Sequence, residues 1–151
     1  MASIDRPDPV ILGHVLAQHR ELYELVSALR AALDQPYTPE RRGAAHRLLG
    51  ELRTHLRRHF DQEERGGFLE EAICRLPRLS GAVQHILDDH EKLLAEIDGL
   101  LKELAARDHD AETWSATGRH FAAFAAHLSV HERNEHAVVQ DGYNEDLGLV
   151  D

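Results

Sequence analysis

Cysteine is almost missing from this 151-residue chain. Cys74 stands alone, which excludes an intrachain disulfide and a thiolate metal cluster. A lone cysteine reads as one more small, buried apolar residue. Positive charge is also scarce. Lys and Arg number 17 against 27 Asp and Glu, for a formal net charge of −10, which argues against the basic face of a nucleic-acid-binding protein. No apolar run approaches the length of a membrane span, and the opening "MASIDRPDP" has no apolar stretch of the secretory type. These absences lead to the expectation of a cytoplasmic protein that partners neither nucleic acid nor membrane. Strand-type alternation is absent as well.

Hydrophobic residues make up 42% of the chain and charged residues 29%, an ordinary globular balance. The length allows one domain, 1–151, with a substantial core. The outlier is histidine, with 12 copies where about 3 or 4 would be usual for this length.

The chain reads as helix almost throughout, with helices over about 8–34, 38–65, 80–107 and 110–140 and a tail at 141–151. Asp8 is an N-cap candidate with Pro9 at the first helical position, and Thr38 with Pro39 repeats the arrangement. Val15, Leu16, Leu22, Val26, Leu29 and Leu33 fall at helical spacing. Gly66 and Gly67 stop the second helix, and "FLEEAICRLPRLSG" is a short helical connector broken at Pro77. Four long helices with short connections predict an all-α, antiparallel, up-down four-helix bundle.

The chain also repeats itself. "HVLAQHRELYELVSAL" lies over "HILDDHEKLLAEIDGL", so that His19 matches His90 and Leu22 matches Leu93. "HLRRHFDQE" lies over "HLSVHERNE", so that His55, His59 and Glu63 match His127, His131 and Glu135. A repeat of this length marks a structural unit used twice, here a helical hairpin. Residues four apart share a helix face. The inward set is then His19, His59, Glu63, His90, His131 and Glu135. Burying that many polar groups uncompensated would cost about several kcal/mol each. A pair of bound cations removes that penalty by making each group a ligand. Imidazole with carboxylate suits iron, zinc or manganese, and the missing thiolates disfavour copper(I) and iron–sulfur clusters.

The order His…His-Phe-x-x-Glu-Glu…His…His-x-x-x-Glu, with "HFDQEE" at 59–64 and "DDHEKLLAEIDGL" at 88–100, resembles the hemerythrin family, or HHE domain, over nearly the whole chain. The resemblance implies a hemerythrin-like bundle around a non-haem di-iron centre, two Fe ions with an oxo or hydroxo bridge. It implies Glu63 and Glu135 as bridges, and the pseudo-symmetry puts His19 and His59 on one iron and His90 and His131 on the other. Two features depart from the oxygen-carrying members. Ile86 stands where they have a further histidine, and His-x-x-x-Glu replaces their closing His-x4-Asp. The pattern is closer to symmetric members linked to iron sensing, stress and nitric oxide.

Four histidines, two bridging carboxylates and one bridging oxygen leave one position open on each of two octahedral irons, the requirement for binding oxygen, peroxide or nitric oxide. His55 and His127 decide the matter. As extra ligands they close both positions; as outer contacts they leave them open. The leading expectation is a di-iron protein that binds or reacts with O2, peroxide or nitric oxide in oxidative or nitrosative stress or oxygen handling. Whether it turns over as an enzyme stays open. The alternative is an iron- or oxygen-sensing module with a saturated, unreactive centre, its tail "YNEDLGLVD" ordering on metal binding. Iron storage, repair and zinc hydrolysis fit less well. A small diatomic or peroxide ligand, an unidentified redox or signalling partner, and a monomer or weak homo-oligomer complete the expectation.

Of the remaining residues, His120 reads as a satisfied core residue. His46, His109 and His136 read as surface or loop positions, and His14 and His85 as outer contacts or helix starts. Glu64, Asp88, Asp89, Glu91 and Glu132 read as solvated charges, some of them candidates to fix an imidazole tautomer. Tyr23 reads as packing.

Overall fold

The computed structural model describes residues 9–148, with side chains for 19–67 and 69–142. Helix α1 spans Pro9–Leu33, α2 Pro39–Arg65, α3 Phe68–Arg75, α4 Ser80–Ala105 and α5 Ala111–Gly148, with a 3-10 turn at Pro77–Leu79. No strand occurs among the described residues. The four long helices pack in a closed ring in which α1 touches α2 and α5, and α4 touches the same two. Short turns join α1 to α2 and α4 to α5, and α3 with a 3-10 turn joins α2 to α4, so neighbours run antiparallel, as the sequence predicts. Asp8 lies outside the described residues.

Local chemistry explains the helix ends. Thr38 is extended and its hydroxyl accepts from Arg41 N–H at 3.0 Å, ahead of Pro39. Asp110 caps α5 by accepting from Thr113 N–H at 2.9 Å. Gly66 closes α2, and Gly67 turns the chain at φ 79, a left-handed angle that suits glycine because it has no Cβ. The tail expected at 141–151 does not hold at its start: α5 continues through Gly142 to Gly148, so 141–148 is helix. Glycine serves close packing there. A Cβ on Gly142 would sit 2.8 Å from Ala72 Cβ and 3.1 Å from Ala72 Cα, so α3 can lie on α5 only where this residue has no side chain.

Helical spacing of apolar residues builds the core. Leu22 and Leu29 of α1, Leu49, Leu52 and Leu56 of α2, Leu93, Ile97, Leu100 and Leu104 of α4, and Phe121, Phe124 and Leu128 of α5 form one continuous cluster. A smaller cluster of Leu69, Ala72, Leu79, Val83, Ile86 and Val138 lies under α3 at the other end. Between the two runs a polar layer. Along α5 the same face reads Leu128, His131, Glu135, Val138, and along α4 it reads Ile86, His90, Leu93.

The end away from α3 is pinned by polar contacts across the turns. Trp114 Nε1–H donates to Gln35 O at 2.8 Å, and Tyr37 O–H donates to His109 O at 3.1 Å. His109 is buried, not a surface residue, because its Nδ1–H donates to Glu103 O at 2.8 Å and its ring packs against Tyr37 and Trp114. His120 is exposed, not core, and pairs with Glu103 at 2.8 Å. Cys74 is exposed as well, on the outer face of α3.

The two glycine environments separate helix propensity from packing. Gly99→Ala meets open space in α4 and should stabilise the chain by about 0.5–1 kcal/mol. Gly142→Ala should destabilise it, its overpacking cost of about 1–3 kcal/mol exceeding the same helix gain. Urea denaturation of both variants checks the opposite signs.

Candidate metal centre

The repeat delivers the polar layer. His59 and Glu63 occupy successive turns of α2, His131 and Glu135 successive turns of α5, and α1 and α4 add His19 and His90. Five of these six are at most 2% exposed, and His19 is half-buried. Their donor atoms fall into two groups. Atoms of Glu63, His90, His131 and Glu135 all lie within 4.8 Å of one another, and so do atoms of His19, His59 and Glu135. Glu63 also reaches across: its Oε1 is 2.7 Å from His59 Nε2 and its Oε2 3.8 Å from His90 Nε2. Each carboxylate thus spans both groups. All six residues singled out in the sequence come together.

The donor atoms do not satisfy one another. Nε2 of His19, His90 and His131 is buried and makes no hydrogen bond. His131 Nε2 stands 3.2 Å from Glu135 Oε2, close enough in distance but misaligned for a hydrogen bond. Buried polar atoms without partners are costly. Imidazole nitrogens and carboxylate oxygens turned toward shared points are what a metal cation satisfies, so the residues present fit metal.

The opposite edges of the rings are held by carboxylates. His90 Nδ1–H donates to Glu64 Oε2 at 2.9 Å, and His131 Nδ1–H donates to Asp89 Oδ2 at 3.0 Å. A carboxylate can only accept here, so the proton sits on Nδ1 and the lone pair on Nε2 faces the centre. Glu64 and Asp89 are the tautomer-fixing members of the acidic set; Asp88 and Glu91 stay exposed. Asp89 is buried rather than solvated, and His127 Nε2–H donates to its second oxygen at 2.7 Å. His127 Nδ1–H donates in turn to Glu96 Oε2 at 2.6 Å. Sequence reading missed Glu96, although it stands seven residues after Asp89, on the same helix face.

His127 has both ring nitrogens on carboxylates, and His55 lies 3.4 Å from Glu21; neither joins a donor group. His46, His85 and His136 are exposed, and the side chain of His14 lies outside the described residues.

The two halves are walled differently. Phe60 stacks on His90, with ring centroids 3.9 Å apart and planes at 9°. Its repeat mate Glu132 is buried, not a solvated charge. Tyr23 is exposed rather than packed, and hydrogen-bonds to Glu132.

Burial dominates the electrostatics. Loss of solvation lowers the His59 pKa to about 4 despite Glu135, with neighbouring imidazoles adding to the shift. His90 is lowered for the same first reason, so both rings are neutral and ligand-ready at neutral pH. Burial, and then the neighbouring Glu135 carboxylate, push Glu63 well above the usual carboxylate range, while Glu135 is held low against its own burial by Glu63 and His131. Burial raises Glu132. Burial opposes charge on both His127 and Asp89, but their mutual hydrogen bond, with those of Glu96 and His131, outweighs it, so His127 is raised and Asp89 lowered.

The chain matches the family model of the Hemerythrin HHE cation binding domain over residues 10–141. Comparison with curated proteins and with solved structures returns no significant match. No helix among the described residues is long and apolar enough to cross a membrane.

A cation held by Glu63 needs the ionised carboxylate that burial and Glu135 disfavour, so divalent-metal affinity should rise with pH. Calorimetric titration of the metal-free protein at about pH 6, in buffers of different ionisation enthalpy, should detect net proton release on metal binding. Uptake without proton release would contradict the upward shift of Glu63.

Proposed function

The chain belongs to the hemerythrin HHE cation-binding domain family, and from that premise we propose that it is a non-haem di-iron protein that binds or reacts with O2, peroxide or nitric oxide. The observation that carries the reading is the pair of buried donor groups spanned by Glu63 and Glu135. His19 and His59 would hold one iron and His90 and His131 the other, with both carboxylates shared. Iron supplies ferrous–ferric redox chemistry and a coordination position for a small ligand.

The chain's own residues do the rest. The leucine-rich cluster on one side and the α3 cluster on the other exclude bulk water from the polar layer. Glu64 and Asp89 orient two of the rings. Phe60 closes one wall against His90, while Glu132 and Tyr23 line a polar wall on the other side. The contacts of His127 support an open position on the metal, because a ring with a carboxylate on each nitrogen has no free donor. The same observation weighs against a saturated sensory centre. A cytoplasmic role in oxygen handling or oxidative and nitrosative stress, served by a separate redox partner, belongs to the same proposal.

The test is to purify the protein without oxygen, count its metals, and record the visible spectrum before and after adding oxygen, peroxide or nitric oxide. The reading predicts two irons per chain and a spectral change. Glu63→Ala and His59→Ala should abolish iron binding and reactivity together while the helical far-UV spectrum persists. Zinc in place of iron, or full reactivity in Glu63→Ala, would overturn it.

A further inference from the structure

One more buried atom shares the condition of the candidate metal donors. Nε2 of His19, His90 and His131 is buried and makes no hydrogen bond. Among the described residues, Oε1 of Glu132 is buried and without a hydrogen bond in the same way. Glu132 as a whole is only 6% exposed. A buried carboxylate oxygen that lacks a partner is costly, and a bound cation would remove that cost.

The position of Glu132 fits a ligand. It follows His131 directly and precedes Glu135 by three residues on α5, and residues three apart are neighbours on a helix surface. The polar groups that act on its carboxylate are His19, Tyr23, Glu135 and His131, with His19 the strongest. Tyr23 is exposed and hydrogen-bonds to it from the solvent side. The other three are candidate ligands, and His19 and Glu135 belong with His59 to one donor group. A third carboxylate therefore stands beside that group. The repeat gives no hint of it, because the matching residue in the other half is Phe60.

We infer that Glu132 is a further ligand of the cation that His19 and His59 would hold, a third carboxylate steadied by Tyr23. The inference rests on the two-ion reading. Glu132 stands outside both groups whose donor atoms all lie within 4.8 Å of one another, so it reaches the cation by rotating about its own side-chain bonds. Carboxylate joins imidazole readily in non-haem iron sites. Added to four histidines, two bridging carboxylates and one bridging oxygen, it leaves one position open for a small ligand rather than two.

The test is an anaerobic titration of the metal-free full-length chain with ferrous iron against a competing chelator, a measure of binding and not of reactivity. Glu132→Gln keeps the size of the side chain but replaces the carboxylate with a weakly donating amide. It should still take up two ions, one of them at least about tenfold more weakly than the wild type does. Cobalt(II) is the second probe, because its visible bands report ligand number. Those bands should differ from wild type in Glu132→Gln even at saturating metal. Unchanged affinities, or weaker binding with wild-type bands at saturation, would overturn the inference alone. If the variant does not fold, the wild-type chain decides. Zinc, which has no visible spectrum of its own, should then perturb a tyrosine ultraviolet band that is missing in Tyr23→Phe; a band indifferent to zinc would also overturn the inference. Uptake of one ion per wild-type chain would overturn the two-ion reading together with it.

Discussion

Four imidazoles and two carboxylates sit in the middle of a helical bundle, cut off from the water that would otherwise solvate them. Their desolvation is the constraint on which the rest of the structure turns. It lowers the pKa of His59 to about 4, lowers that of His90, and pushes that of Glu63 well above the usual carboxylate range. A layer of this kind is tolerated only where the surrounding helices are anchored by something else. Here the anchors are the two apolar clusters on either side, with the larger one closed at its far end by the contacts of Tyr37, His109 and Trp114. The polar layer is held by packing that does not depend on it, which leaves its donor atoms free to face inward.

The second level of organisation is the ring of carboxylates behind the imidazoles. A buried imidazole has two nitrogens and can present only one to a metal; the other must be satisfied or it adds to the desolvation cost. Glu64 and Asp89 provide that satisfaction, and His127 with Glu96 continues it to the surface. The same network explains why His127, one helical turn from His131, is not itself drawn into the donor groups. Its two N–H groups are committed to carboxylates that hold its pKa up against burial.

The duplicated hairpin also allowed the halves to diverge. Phe60 and Glu132 occupy matching positions, yet one stacks flat on an imidazole and the other is a buried acid hydrogen-bonded to Tyr23. Repetition supplies the two-fold frame, and substitutions at positions flanking the ligands change the surroundings of each half without moving the ligands.

The sequence by itself determined the helices, the repeat, the family and the six residues that converge. Each of these is written in spacing along one chain: a four-residue step keeps His59 with Glu63 and His131 with Glu135, and apolar periodicity decides which face turns inward. What lay beyond it depends on contacts between helices. Asp89 and Glu132 look like surface acids in a charged stretch until α4 and α5 pack and bury them. His109 looks like a loop residue until the two turns at one end of the bundle meet. Gly142 reads as part of a tail until α5 is seen to run through it, where α3 approaches so closely that only a missing side chain fits. The roles of His55 and His127 stood open for the same reason. Periodicity puts a side chain on a face, and only the neighbouring helix determines which atoms that side chain meets there.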